Sequence, residues 1–181
     1  LRHICVFSIE KLMKSKENIV FLGMMGSGKT SIGKLISKKL NLNFFDVDEQ
    51  IEMELGLKIS KIFSNKGEKY FREVEEIKTL ELLQKKKSII AIGGGAFLNK
   101  NIRKEILENH ISFWLKWNNE TLINRIRNSR KRPLAFNSTI ENLTNLIKKR
   151  SNIYSKALYK IDCDNLTKNE IMNKILNIYG N

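Results

Sequence analysis

The octapeptide Gly23-Met24-Met25-Gly26-Ser27-Gly28-Lys29-Thr30 constrains this chain more than any other stretch. It satisfies the pattern G-x-x-x-x-G-K-[ST] at every fixed position. The apolar run Asn18-Ile19-Val20-Phe21-Leu22 before it reads as a buried strand. In residues 31–40 after it, Ile32, Leu35, Ile36 and Leu40 share one helical face. Strand, glycine loop and helix together give the pattern its meaning. The glycines let the backbone turn tightly and aim N–H groups at an anion. The helix start adds unpaired N–H groups and the positive end of a dipole. Lys29 can bridge outer phosphates as a point charge, and the Thr30 hydroxyl can ligate Mg²⁺. The loop predicts a nucleoside triphosphate and leaves the phosphate acceptor open.

Composition narrows the rest. The chain has 181 residues, 41% hydrophobic and 29% charged, which predicts one soluble domain with a sizeable core. No apolar run approaches the roughly 20 residues needed to cross a bilayer. No stretch has the form of a secretory signal. Cys5 and Cys163 have neither metal-ligand spacing nor the look of a disulfide framework, so a reducing cytoplasm is expected. A net charge of +14 admits nucleic-acid binding. Lysine and asparagine are spread along the whole chain, however, and no aromatic-basic interleaving of the RNA-recognition type occurs. A lysine-rich surface around a cationic centre for anionic ligands is the preferred reading, with no nucleic-acid or membrane partner.

Along the chain, apolar runs alternate with amphipathic ones. Strands are expected at 18–22, 43–48, 88–92, 111–115 and 160–163. Helices are expected at 31–40, 49–56, 59–65, 68–84, 99–109, 119–128, 139–158 and 167–179, with a break at Lys66-Gly67. In the 68–84 helix, Phe71, Val74, Leu80 and Leu83 are expected to face the core, with Arg72, Glu75 and Glu76 off that face. The alternation predicts a parallel sheet covered on both faces. Residues 129–134, basic and holding the only proline, read as a mobile loop. Residues 1–17 read as an N-terminal extension, and 18–181 as a single domain with a lid near 128–139.

Four features outside the glycine loop bear on the acceptor. Asp46 and Asp48 close the second strand, where open α/β sheets place their ligands. They could hold a metal's waters and orient or deprotonate a hydroxyl, or they could merely end the strand and cap the next helix. Arg72 and Glu75 are i,i+3 neighbours; alone they read as a solvated helical ion pair worth under about 1 kcal/mol. Gly93-Gly94-Gly95 follows a strand and offers bare backbone to a ligand, or else forms a flexible turn. Arg132 and Arg150 carry the two-pronged fork that suits carboxylate or phosphate, although two arginines prove little in so basic a chain.

Taken in order, these segments resemble the shikimate kinase family over roughly residues 18–179. The resemblance rests on GMMGSGKT at 23–30, DVD at 46–48, GEKYFRE at 67–73 with Glu75, GGGA at 93–96, RPL at 132–134 and RSNIYSKA at 150–157. It implies a three-layer α/β/α P-loop kinase fold of the nucleoside-monophosphate-kinase type, with a five-stranded parallel sheet. It implies transfer of a phosphoryl group from Mg·ATP to the 3-hydroxyl of shikimate, on the chorismate route to aromatic amino acids, by a cytoplasmic monomer. Gly26, Ser27, Gly28, Lys29, Thr30, Ser31, Arg125 and Arg132 would bind ATP, with Arg125 packing on adenine. Asp48, Arg72, Gly94, Gly95 and Arg150 would bind shikimate. Lys29, Asp48 and Arg132 would be catalytic. Thr30, and Asp46 through water, would hold Mg²⁺. Thr30-Ser31 stands where Ser-Thr is commoner, and both hydroxyls are kept. Residues 163–169 lack an arginine that some members carry near adenine.

Two rivals remain. One is another small-molecule kinase on this fold, of the gluconate type. The other is a non-catalytic ATP-binding regulator. The ring-carboxylate arrangement of Arg72, Gly93–Gly95 and Arg150 argues against the first, and the intact Lys29, Thr30, Asp46 and Asp48 against the second.

Overall fold

The computed structural model describes residues 18–128 and 138–180. Its centre is a five-stranded, all-parallel sheet in the order β2-β3-β1-β4-β5. The strands are β1 (Ile19–Leu22), β2 (Asn43–Asp46), β3 (Ser88–Ala91), β4 (Ile111–Lys116) and β5 (Tyr159–Asp162). Every residue of β1 and β3 is buried. Successive side chains of a strand point to opposite faces, so both faces of the sheet centre are covered. β2 lies at an edge and is only half buried.

Seven helices flank the sheet among the described residues: α1 (Lys29–Leu40), α2 (Val47–Leu55), α3 (Ile59–Leu83), α4 (Lys100–Asn109), α5 (Asn119–Arg127), α6 (Ile140–Tyr154) and α7 (Lys168–Gly180). α1 packs on α7, α3 on α2 and α4, and α5 on α6. Ile32 and Ile36 of α1 and Ile171 and Ile175 of α7 are buried, as the helical spacing predicts. None of the described helices is long and apolar enough to cross a membrane.

α3 is two helices in one run, broken at Gly67 (φ 81°, ψ 170°). That is where the sequence predicts the break. A side chain at Gly67 would meet open space, so glycine is needed there for its backbone angle alone.

One boundary differs in a way that matters. The expected second strand, running through Asp48, stops at Asp46, and α2 begins at Val47. Asp46 is its N-cap: the carboxylate accepts from the N–H groups of Asp48 (3.1 Å) and Glu49 (3.4 Å). Asp48 therefore stands on the first helical turn, not on the strand. The chain leaves β1 toward β2 on one side, then crosses back to β4 on the other. The C-terminal ends of β1, β2 and β3 consequently meet in one crevice.

Candidate active site

The donor half of the crevice is the loop between β1 and α1. Gly28 takes φ 91° just before the first turn of α1. Lys29 is only 8% exposed; its ammonium donates to the carbonyls of Gly23 (2.9 Å) and Met24 (3.1 Å). Thr30 Oγ1 donates to Asp46 Oδ2 at 2.5 Å, joining the loop to the end of β2. Asp46 thus both caps a helix and faces the crevice; the two readings of the sequence are not exclusive. A cleft of about 290 Å³ opens here, lined by Gly26, Gly28, Lys29, Thr30, Ser31, Asp46, Asp48 and Ile92. Its donor set is hydroxyl and carboxylate oxygen, which suits a hard cation such as Mg²⁺. Among the described residues no group of three His, Cys, Asp or Glu could hold a metal, so such an ion would share its shell with phosphate oxygens and water.

Two more side chains support this half: Trp117, which the sequence did not single out, and Arg125, which it did. The Trp117 indole N–H donates to the Ser27 carbonyl at 2.9 Å. Arg125 lies over the Trp117 ring, 3.7 Å from its centroid, and reaches the Gly26 carbonyl at 3.4 Å. The predicted nucleotide residue Arg125 is therefore brought to the phosphate loop from α5.

The acceptor half gathers on Gly93-Gly94-Gly95. A Cβ on Gly95 would lie 2.5–2.9 Å from the guanidinium atoms of Arg72. One on Gly94 would lie 3.3 Å from the Met25 nitrogen and 3.4 Å from Arg150 Nη1. One on Gly93 would collide with Glu75 Oε1 and lie 3.0 Å from Asp48 Oδ1. The turn is thus the meeting place of Arg72, Glu75, Asp48 and Arg150, which come from three different helices.

The Arg72–Glu75 pair is not a solvated ion pair, as its spacing alone suggested. Glu75 is 2% exposed and lies on the core-facing side of α3 with Phe71, Thr79 and Leu82, not off it. Its carboxylate accepts from Arg72 Nη1 at 2.6 Å, while Glu68 Oε1 accepts from Arg72 Nε (3.2 Å) and Nη2 (3.0 Å). Burial pushes the Glu75 carboxyl above its usual range; Arg72 opposes that shift and Asp48 adds to it. A carboxylate on an interior helix face can be kept there by a charged partner, and the partner is in turn held at the turn.

Tyr154 also escaped the sequence reading. Its hydroxyl donates to the Gly94 carbonyl and lies 3.8 Å from Met24 Sδ. Burial pushes that hydroxyl up to about 12, with Arg150 pulling against it. The signal was available: Tyr154 is i+4 from Arg150, on the same face of α6. Arg132 and most of the expected lid fall in 129–137, outside the described residues, as do 1–17.

A parallel sheet whose first strand opens into a glycine loop carrying Lys29 and Thr30, with one acid ending the next strand and another on the helical turn after it, is the fold and donor site of the P-loop kinases. The sequence pattern of the shikimate kinase family matches residues 25–179. The shikimate kinase of Thermodesulfovibrio yellowstonii is 40% identical over 164 residues, 90% of this chain and 95% of that one. A solved structure of the Acinetobacter baumannii shikimate kinase in complex with shikimate superposes with a TM-score of 0.85 at 30% identity, covering 93% of this chain and 95% of that one. The chain belongs to the shikimate kinase family, a family of ATP-dependent kinases. A gluconokinase from Sinorhizobium meliloti shares the fold alone, at a TM-score of 0.60 and 17% identity over 92% of this chain and 93% of that one.

Proposed function

We propose that this protein transfers the γ-phosphoryl group of Mg·ATP to the 3-hydroxyl of shikimate, giving 3-phosphoshikimate and ADP. The observation that carries the reading is the convergence of Arg72, Arg150 and Asp48 on one glycine turn beside the phosphate loop. Two guanidinium groups suit a ring carboxylate, and a carboxylate on the donor side suits ring hydroxyls. Donor and acceptor are both anions, so their approach needs cations held in place beforehand.

The roles follow from position. Gly26, Ser27, Gly28 and Ser31 line or shape the cleft that takes the phosphates, and Arg125 takes the base. Lys29 exchanges its loop carbonyls for phosphate oxygens as charge develops in transfer. Arg72 and Arg150 clamp the acceptor's carboxylate, with Gly94 and Gly95 offering N–H groups. Asp48 orients the acceptor hydroxyl and takes its proton as the oxygen attacks phosphorus. Thr30, and Asp46 through water, would hold Mg²⁺, which when bound neutralises phosphate charge. Arg132, which lies outside the described residues, is assigned to the phosphates, with a lid near 128–139, on the family resemblance alone. The enzyme works as a cytoplasmic monomer, residues 18–181 forming one domain, without a nucleic-acid partner.

A coupled assay of ADP release from Mg·ATP tests this with shikimate, gluconate and nucleoside monophosphates as acceptors. Release with shikimate alone is expected, lost in folded Asp48→Asn and Arg150→Ala proteins. Release with gluconate instead would overturn the acceptor site. ATP binding with no release for any acceptor would favour a regulatory role.

A further inference from the structure

Trp117 is the side chain at the donor end to which no role has yet been given. It follows β4 directly and is 9% exposed. A tryptophan so placed could simply fill the core. Two contacts go beyond filling.

The first is the indole N–H on the Ser27 carbonyl, at 2.9 Å. A trans peptide unit is flat, with its C=O and the next N–H pointing in opposite directions. No described peptide bond is cis. Holding the Ser27 carbonyl on Trp117 therefore turns the Gly28 N–H to the other side. Gly28 lines the cleft. The bond sets the direction of a donor that an anionic phosphate would meet.

The second contact is the stack. The Arg125 guanidinium lies 3.7 Å from the centroid of the Trp117 ring. A cation over an indole face is held electrostatically, the more so when partly desolvated. One flat face of the guanidinium is thus taken, while Arg125 itself remains exposed. The other face is a planar platform of the kind on which a nucleobase stacks. A free arginine carries roughly 2 kcal/mol of rotamer entropy, much of it removed here before any ligand arrives.

We propose that Trp117 is a positioning residue for the nucleotide. It holds Arg125 flat as a platform for the base, and it fixes the Ser27–Gly28 peptide for the phosphates. The inference rests on reading the cleft as the ATP site.

Titration calorimetry with ADP, shikimate and inorganic tripolyphosphate tests it on wild type, Trp117→Phe and Trp117→Leu. Trp117→Phe keeps a ring in the core but loses the N–H. It should weaken ADP about three- to tenfold and leave shikimate affinity unchanged. Trp117→Leu should lose more for ADP than for tripolyphosphate, which has no base. Unchanged ADP affinity in Trp117→Phe overturns the inference. So does a parallel fall for ADP and shikimate, which marks a merely structural residue. Wild-type protein that fails to bind ADP sinks the ATP-site reading itself. ADP binding that Trp117→Phe leaves intact sinks only this one.

Discussion

The phosphate loop and the Gly93–Gly95 turn are both glycine-rich and both follow buried strands, but the first uses glycine mainly for its backbone angles and the second for room. In the phosphate loop the need is conformational. Gly23, Gly26 and Gly28 take φ of 140°, 78° and 91°; a side chain on Gly28 would touch nothing within 4 Å, and only Gly23 is also short of room, its Cβ position lying 2.9 Å from the Leu115 carbonyl oxygen. In the acceptor turn the need is room. None of its three glycines has a positive φ, yet the Cβ position of each is crowded by Glu75, Arg150 or Arg72. One motif shapes backbone to meet a ligand. The other clears space so that the protein's own charged side chains can lie against backbone. A glycine run read from sequence cannot distinguish these, because the difference lies in what approaches from elsewhere in the chain.

Substitutions can break or sharpen that contrast. The largest effect is expected from Lys29→Met, on the order of 10²–10³-fold in kcat, with shikimate binding retained; an unchanged kcat would show that the donor half is misread. Next come two alanine variants meant to dissociate. Gly28→Ala should cost about 1–2 kcal/mol in denaturation experiments from left-handed strain, and should weaken ADP while sparing shikimate. Gly95→Ala carries no such strain, since Gly95 sits at φ −103°. It should displace Arg72 and weaken shikimate about tenfold to a hundredfold, sparing ADP. If both variants weaken the same ligand, the two halves are not separable as described.

Tyr154 sharpens the acceptor side. Its raised pKa means that the folded state keeps the phenol's proton more firmly than the unfolded chain does. The associated stability is full below pH 10 or so and is lost as pH rises through about 12. Denaturation of wild type against Tyr154→Phe across that range should show a wild-type loss larger by about 2–3 kcal/mol; equal losses would refute it. The smallest effect is expected from Tyr154→Phe at neutral pH. Freeing the Gly94 carbonyl should raise the KM for shikimate about threefold, with the KM for ATP unchanged.

Much of this was legible in one dimension. Local patterns of period two and 3.6, punctuated by glycine, gave the alternation of strands and helices, and even the break at Gly67. The phosphate loop was complete in eight residues, because a backbone trap for an anion is built from neighbours. The acceptor site was legible only as scattered pieces. Arg72, Gly95 and Arg150 are far apart in sequence, and their meeting depends on where α3 and α6 pack. The burial of Glu75 could not be read from its spacing, since an i,i+3 pair looks the same on a wet face as on a dry one. Asp48 moved from strand to helix because Asp46 offers its carboxylate to two N–H groups, an event of three residues that alternation cannot foresee.

By itself, the sequence determined the class of chemistry: an anion-binding loop with a lysine and a hydroxyl, set between a buried strand and a helix. Its motif order also determined the family. Only the tertiary structure decided which charges are dry, which glycines make room, and which aromatic donors, Trp117 and Tyr154, hold the loop carbonyls. The physical reason is range. Backbone conformation and periodicity are set by residues a few positions apart. Burial, close approach and the environment of a charge are set by whatever the fold brings up against it.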